Sequence, residues 1–326
     1  VDIQGIGFQS FGELEALFEE HCPGVLDEIQ GFTDALDLSP VKLMFWELAY
    51  KPIGGSYCSQ LAALAPVTVD SHIYLGRNYD WNHLQDDCTL CTTRVKGKSR
   101  HVGCSAFLFG RNDGLNEHGL CASFTGGGVF NVELKHAGFA PDIAIRTLLD
   151  HCKSVDEALK KVQLMSLCGF FLLLLVDKSG DAALVEHADG AVAVKRITED
   201  SSEPFLCSTN HFTLPDTMNF NSLNVGILDQ SIGRHARLLS LFKRKNARIG
   251  KDDIKGVLSR AYPRGVCNHY YKQCLGTIWS SIFDITTSSL EICFGAPTHN
   301  EWRSVVFNNE PPGITHYDVI FPISNK

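Results

Sequence analysis

The sequence predicts an α+β protein in which two packed β-sheets carry helical layers on their outer sides. Short apolar segments bounded by turn residues come in runs, pairs of amphipathic helical segments interrupt them, and further strand-like segments follow. That order fits layered sheets rather than an alternating βαβ chain. With 326 residues, 44% hydrophobic and 20% charged, the chain can bury a sizeable core and is too apolar for extended disorder.

The first fifty residues read as helical. Ser10 and Glu13 have capping-box spacing and lead into the stripe Leu14, Leu17 and Phe18. A second helix is predicted from Ser39-Pro40, with Ser as N-cap and Pro in the first turn, carrying Leu43, Phe45, Trp46 and Leu48. The Pro/Gly/Ser-rich stretch Lys51-Pro-Ile-Gly-Gly-Ser-Tyr57 then reads as an exposed turn that would expose the next residue, Cys58.

Strands are predicted at Thr68 to Leu75, Ser105 to Phe109, Leu120 to Phe124, Phe170 to Val176, Ala182 to His187, Ala191 to Ile197, Gly276 to Asp284 and Leu290 to Phe294. The segment Gly76 to Trp81 reads as the end of the first of these. Ala188-Asp-Gly190 is a hairpin signal. Helices are predicted at Pro141 to His151, Val155 to Val162 behind a Ser154/Glu157 capping box, Asp229 to Lys243 and Asp252 to Ala261.

Composition narrows the function. Twenty-nine Lys and Arg against 37 Asp and Glu give a net charge of −8, and the longest basic run is Lys243-Arg244-Lys245, so neither nucleic acid nor an anionic membrane surface is the expected partner. The apolar run Phe170 to Val176 is far short of the ~20 residues that span a bilayer. The 12 cysteines are scattered through a chain with core to spare, which points to buried thiols in a reducing, cytoplasmic compartment. The chain starts at Val1, and the sequence leaves open a secreted form with an upstream segment removed.

Any single cysteine is most often a small core hydrophobe. Cys58 stands out by its place after a turn and ahead of Gly76-Arg-Asn-Tyr-Asp-Trp81. Near a thiol, a guanidinium favours the thiolate and a carboxylate can hold a protonated amine or imidazole.

The ordered motifs Gly31-Phe-Thr-Asp-Ala35, Cys58, Gly76-Arg-Asn-Tyr-Asp-Trp81, Gly114-Leu-Asn-Glu-His-Gly-Leu120, Ser208-Thr-Asn-His-Phe212, Ser231-Ile-Gly-Arg234 and Gly276-Thr-Ile-Trp-Ser-Ser281 cover nearly the whole chain. In them the sequence resembles the cysteine N-terminal nucleophile hydrolases, the choloylglycine hydrolase and penicillin V acylase superfamily. Its helical leader brings it closest to the acyl-coenzyme A:isopenicillin N (6-aminopenicillanic acid) acyltransferase-like proteins.

The resemblance implies a four-layer αββα sandwich of two antiparallel sheets and a precursor that cuts itself at Tyr57–Cys58. Residues 1–57 would be a leader that stays bound as one chain of a heterodimer, and 58–326 the catalytic domain. It further implies an acyl-thioester on Cys58, formed from a linear non-peptide amide of a small molecule, with no cofactor and no metal. Carried over position by position, Asp80 would orient the freed α-amine, Arg77 would favour the thiolate, Asn210 would donate to the oxyanion and Arg234 would support this arrangement. Many relatives have an Asn shortly after the Gly-Leu that ends at Leu120; here Cys121-Ala-Ser-Phe-Thr-Gly-Gly-Gly128 follows, so a main-chain N–H near Thr125 or Gly126 would complete the oxyanion hole. Tyr79, Trp81, Phe124 and Phe130 would line an apolar acyl pocket if they lie near Cys58.

Competing readings are a papain-like site pairing an internal Cys58 with His211 and Asn210, and a catalytically silent binding protein on the same fold. Cys88 and Cys91, with His83 and His101 nearby, have half a zinc spacing but no second close pair.

Overall fold

The computed structural model describes residues 10–43, 57–86, 88–129, 136, 138–221, 225–243, 248–307 and 313–323. Helix α1 (Phe11–His21) starts where the capping signal puts it: the Glu13 N–H donates to Ser10 Oγ at 3.3 Å. Gly24, at φ +80°, turns the chain into α2 (Val25–Leu36), a helix the sequence reading missed. Of the helix predicted from Pro40, residues 40–43 are helical; Phe45, Trp46, Leu48 and the turn at 51–56 lie outside the described residues.

One sheet has seven strands in the order β11 (Phe205–Ser208), β1 (Ser59–Ala63), β2 (Tyr74–Trp81), β13 (Leu275–Asp284), β14 (Ser289–Phe294) and β15 (Arg303–Val306), with β12 (His269–Tyr270) paired to β13. The other has eight, in the order β10 (Ala191–Thr198), β9 (Asp181–Ala188), β8 (Phe170–Asp177), β7 (Leu120–Gly126), β6 (Asp113–Asn116), β4 (His101–Ala106) and β3 (Leu90–Thr93), with β5 (Gly110–Arg111) on β4. Every pairing between these strands is antiparallel.

Three apolar layers separate the elements. Between the sheets lie Cys58, Leu75, Tyr79, Cys104, Leu174 and Trp279. Outside the seven-stranded sheet, Leu61 and Tyr74 pack with Leu238 of α5 (Val225–Phe242) and with Ile254 and Leu258 of α6 (Lys251–Ser259). Outside the eight-stranded sheet, Leu173 and Val185 pack with α3 (Pro141–His151), α4 (Val155–Leu164), α1 and α2. This is the αββα sandwich, and the N-terminal helices belong to one of its outer layers.

Three sequence assignments change. Thr68 makes only an isolated bridge to Ile249, and the strand runs from Tyr74 to Trp81, so Gly76 to Trp81 is strand interior. Polar groups on both of its faces hid it: Asn78 donates to the Leu258 carbonyl in the helical layer while Arg77 pairs with Asp113 between the sheets. The strand expected at Ser105 to Phe109 ends at Ala106, because Phe107 and Leu108 have φ of +47° and +77° and turn the chain. Helix α5 begins at Val225, four residues before the predicted start. The hairpin signal holds, with Ala188 opposite Ala191 and both Asp189 and Gly190 at positive φ. Among the described residues no helix is long and apolar enough to cross a membrane, and no disulfide joins any of the cysteines.

The N-terminal helices are built into the core. Leu14 and Phe18 are fully buried, and the Phe18 ring meets Phe139 edge-on at 5.2 Å. Glu28 accepts from Lys98 Nζ at 2.9 Å and from Arg146 Nη2 at 2.7 Å. Arg146 Nε donates to Asp150 at 2.9 Å. Burial pushes the Glu28 carboxyl up, but the charges of Arg146 and Lys98 outweigh it and hold the pKa below the ordinary glutamate value. This pairing therefore contributes stability above the unfolded carboxyl pKa, which is lost as pH falls through the folded value. Phe18→Ala, made in a Cys58→Ala background and followed by urea unfolding, is expected to lose ~3–5 kcal/mol of stability; a loss under ~1 kcal/mol would mean that the N-terminal helices are a removable attachment.

Candidate active site

The pairing of β1 with β2 places the candidate nucleophile. Ser59 lies opposite Asn78 and Gln60 opposite Arg77, which brings Cys58, just before β1, beside Tyr79 and Asp80. Its Sγ lies 4.0 Å from the Asp80 main-chain oxygen. Cys58 is 2% exposed, which corrects the expectation of an exposed thiol. It already belongs to the core between the sheets when the chain enters β1, and it shares that core with Tyr79 and Trp81.

Arg234, on α5 and fully buried, grips this segment. Its Nη1 donates to the Tyr57 carbonyl, to the Cys58 carbonyl at 2.6 Å and to Ser59 Oγ at 2.8 Å. Its Nη2 donates to Asn210 Oδ1 at 2.8 Å and its Nε to Gln230 Oε1 at 3.2 Å. The guanidinium also stands 5.6 Å from the Tyr57 ring centroid. Burial lowers its pKa, opposed by the nearby Asp80 carboxylate. The Ser231-Ile-Gly-Arg234 motif acquires a local reason: Ser231 Oγ accepts the Asn210 main-chain N–H at 2.9 Å, and any side chain on Gly233 would strike the Tyr262 hydroxyl.

Asp80 is fully buried and accepts two hydrogen bonds, from Thr277 Oγ1 at 2.6 Å and from Asn268 Nδ2 at 2.5 Å. Burial raises its pKa to about 6, against the opposing pull of Arg234, these two hydrogen bonds and Arg77. Arg77 lies on the inter-sheet face, where its Nη1 donates to the Asn112 carbonyl at 2.5 Å and sits 3.4 Å from the Asp113 carboxylate. Its charge is thus shared with Asp113 on the opposite sheet, and it stands 5.5 Å from the Tyr79 ring centroid.

Asn210 lies beside the segment that the sequence nominated for the oxyanion hole. Its Nδ2 donates to the Gly126 carbonyl at 2.8 Å, and Thr125 Oγ1 donates to the Thr209 carbonyl at 2.6 Å. Gly126 therefore turns its carbonyl, not its N–H, towards the Asn210 amide. Phe124 does not join the pocket: on β7 its side chain packs into the outer helical layer, whereas its neighbour Ser123 faces inward and donates to Gln60 Oε1 at 2.7 Å. The period-two alternation of a strand separates the two. Tyr79, stacked on Trp279 at 4.0 Å, and Trp81 remain with Cys58, and Phe130 lies outside the described residues.

The His211 imidazole shares Nδ1 with Ser231 Oγ at 2.8 Å and Thr209 Oγ1 at 3.2 Å, and its ring meets His235 edge-on. Burial, helped by His235 and Arg234, lowers its pKa to about 4, so at neutral pH it carries no charge to stabilise a thiolate. That disfavours a papain-like pair. His83 packs on Tyr271 and Phe321, and His101 lies against Asp150; among the described residues no three His, Cys, Asp or Glu side chains are placed to hold a metal ion.

Sequence reasoning missed Gln60, Gln230 and Asn268. Gln60 had a signal, since it lies two residues from Cys58 on the same strand face. Gln230 sits one helical turn before Arg234, a spacing that could have been read. Asn268 carried no local signal.

The model of the acyl-coenzyme A:6-aminopenicillanic acid acyl-transferase family matches residues 67–299, beginning after Cys58 and including Arg77, Asp80, Asn210 and Arg234. Among solved structures, the penicillin V acylase from Agrobacterium tumefaciens is 16% identical with a TM-score of 0.50, covering 77% of this chain and 86% of its own. A conjugated bile acid hydrolase from Clostridium perfringens is 12% identical with a TM-score of 0.48, over 78% of this chain and 94% of its own. No curated protein sequence matches the chain. The chain belongs to the acyl-coenzyme A:6-aminopenicillanic acid acyl-transferase family, within the N-terminal nucleophile hydrolases, and is a hydrolase or acyltransferase acting on amide bonds.

Proposed function

We propose that the protein cuts its own chain between Tyr57 and Cys58 and then uses the thiol and new α-amine of Cys58 to take an acyl group from a small linear, non-peptide amide. The observation that carries this reading is the hold of one buried guanidinium on the Tyr57 and Cys58 carbonyls, with Asp80 in the same buried network. A structural thiol in a core needs no cation on the peptide bond before it.

In self-cleavage, Sγ attacks the Tyr57 carbonyl carbon and the C–S bond forms. The bond to the Cys58 nitrogen then breaks, and that nitrogen takes up the thiol proton. Water hydrolyses the thioester, leaving a carboxylate on Tyr57 and restoring the thiol. A free α-amine titrates near ~7.7–8.0, so it can act as the thiol's base at neutral pH, which a peptide nitrogen cannot. In turnover the same amine takes the thiol proton and returns it to the leaving amine; water or an acceptor amine then removes the acyl group from sulfur.

Asp80 would hold the α-ammonium, Arg77 would favour the thiolate across the inter-sheet face, and Asn210 would supply a side-chain N–H to the substrate oxyanion. Tyr79 and Trp81 would form an apolar wall for the acyl chain. Residues 1–57 would remain bound after the cut, because the helices at 11–36 bury Leu14, Phe18, Val25 and Ile29 in a shared core.

Intact mass under denaturing, reducing conditions tests the first step. Wild type is expected to give two fragments meeting at Tyr57/Cys58 and Cys58→Ala only the full chain; an uncut wild type would sink the reading.

The pH dependence tests Asp80. Before the cut there is no α-ammonium, and the Asp80 carboxylate would act by holding Asn268 and Thr277 beside the Tyr57 carbonyl; below about 6 it is protonated and no longer holds both as an anion, so self-cleavage should fall away on the acid side of about pH 6. Asp80→Asn should flatten that limb at a low rate, and a wild-type rate constant that is level from pH 5 to 8 would contradict the assignment.

A further inference from the structure

We propose that Asn268, aligned by Gln230, is a donor to the carbonyl of the bond that is cut, serving self-cleavage more than substrate turnover. This rests on the self-processing reading above.

Two side chains converge on the Tyr57 oxygen: Arg234 through Nη1, and Asn268 through Nδ2 at 3.4 Å. Asn268 is fully buried, and its amide has one orientation. Its Oδ1 accepts from Gln230 Nε2 at 2.8 Å, so Nδ2 faces Asp80 and Tyr57. Its main-chain N–H donates to Thr277 Oγ1 at 2.9 Å, the hydroxyl that in turn donates to Asp80. Gln230 uses its other end on Arg234, accepting from Nε. One amide on α5 thus aligns both donors to the scissile carbonyl.

The chemistry explains the arrangement. When Sγ adds to the Tyr57 carbonyl carbon, the oxygen becomes an anion. A donor 3.4 Å from the planar carbonyl, which the oxygen approaches as its carbon becomes tetrahedral, stabilises the transition state more than the resting peptide. A cation and a neutral amide fixed in advance need little reorganisation. After the cut, the Tyr57 oxygen leaves with its carboxylate, and of the two acceptors of Asn268 Nδ2 only Asp80 remains. An incoming acyl substrate would instead meet Asn210, which Arg234 holds through Nη2, whereas it holds the Tyr57 carbonyl through Nη1. Self-cleavage and turnover would therefore draw on different amides around one guanidinium.

The test follows the full-length chain during cell-free synthesis by intact mass. In parallel, acylation of Cys58 by a p-nitrophenyl ester is measured on molecules already cut, with thermal midpoints as the folding control. Asn268→Ala is expected to slow the cut by ~10²-fold or more; acylation per cut molecule also falls, through the hydrogen bond lost to Asp80, but by at least about tenfold less. Gln230→Glu keeps an acceptor for Arg234 but removes the donor that orients Asn268, so it should also slow the cut selectively, and it serves if Asn268→Ala does not fold. Cutting at the wild-type rate in a folded variant, or equal losses in cutting and acylation, would overturn the assignment to self-cleavage and leave the nucleophile reading standing. A wild type that never cuts would overturn both.

Discussion

Everything at this site depends on how a fully buried guanidinium is satisfied. Removing the Arg234 charge from water costs several kcal/mol unless hydrogen bonds replace the lost hydration. Five acceptors do so: the Tyr57 and Cys58 carbonyls, Ser59 Oγ, Asn210 Oδ1 and Gln230 Oε1. Three of them lie on consecutive residues around one peptide bond. The cation is therefore held by the peptide bond as much as it holds it, and Cys58 has little freedom to move without exposing an unpaired charge. Asp80 supplies the compensating carboxylate without a direct ion pair, and its burial explains why its pKa rises to about 6 despite the nearby cation.

The sandwich makes this arrangement affordable. Strands β1 and β2 are central in the seven-stranded sheet, with neighbours on both sides and helices behind. Alternation along β2 sends Arg77 and Tyr79 between the sheets and Asn78 and Asp80 to the opposite face. One short strand thus supplies both a cation facing Asp113 and a carboxylate facing Thr277 and Asn268. The N-terminal helices lie on the far outer layer, so a break in the chain at residue 57 would not remove their apolar contacts.

Much of this was legible in the sequence, and what was not has a physical reason. The caps at Ser10 and Ser154 and the 188–191 hairpin are local devices, and each falls where its signal puts it. Cys58, Arg77, Asp80, Asn210 and Arg234 were nominated by resemblance, and the fold links Arg234 to both Cys58 and Asn210 directly. Strand β2 was misplaced because a strand buried on both faces by polar networks has no apolar period to read. Phe124 was misassigned because its facing depends on register, which a one-residue step reverses. Asn268 was invisible because it joins the site through contacts with residues 57, 80 and 230, all distant in sequence.

The most direct measurement is the rate of chain cutting in Arg234→Lys, a variant that keeps the charge but not the planar fork that reaches several acceptors at once. In a folded sample, judged by a cooperative unfolding transition, the cut at Tyr57/Cys58 is expected to slow by at least ~10²-fold. Cutting at the wild-type rate would show that a point charge suffices, and would contradict the view that the guanidinium's grip on this peptide bond prepares it for attack.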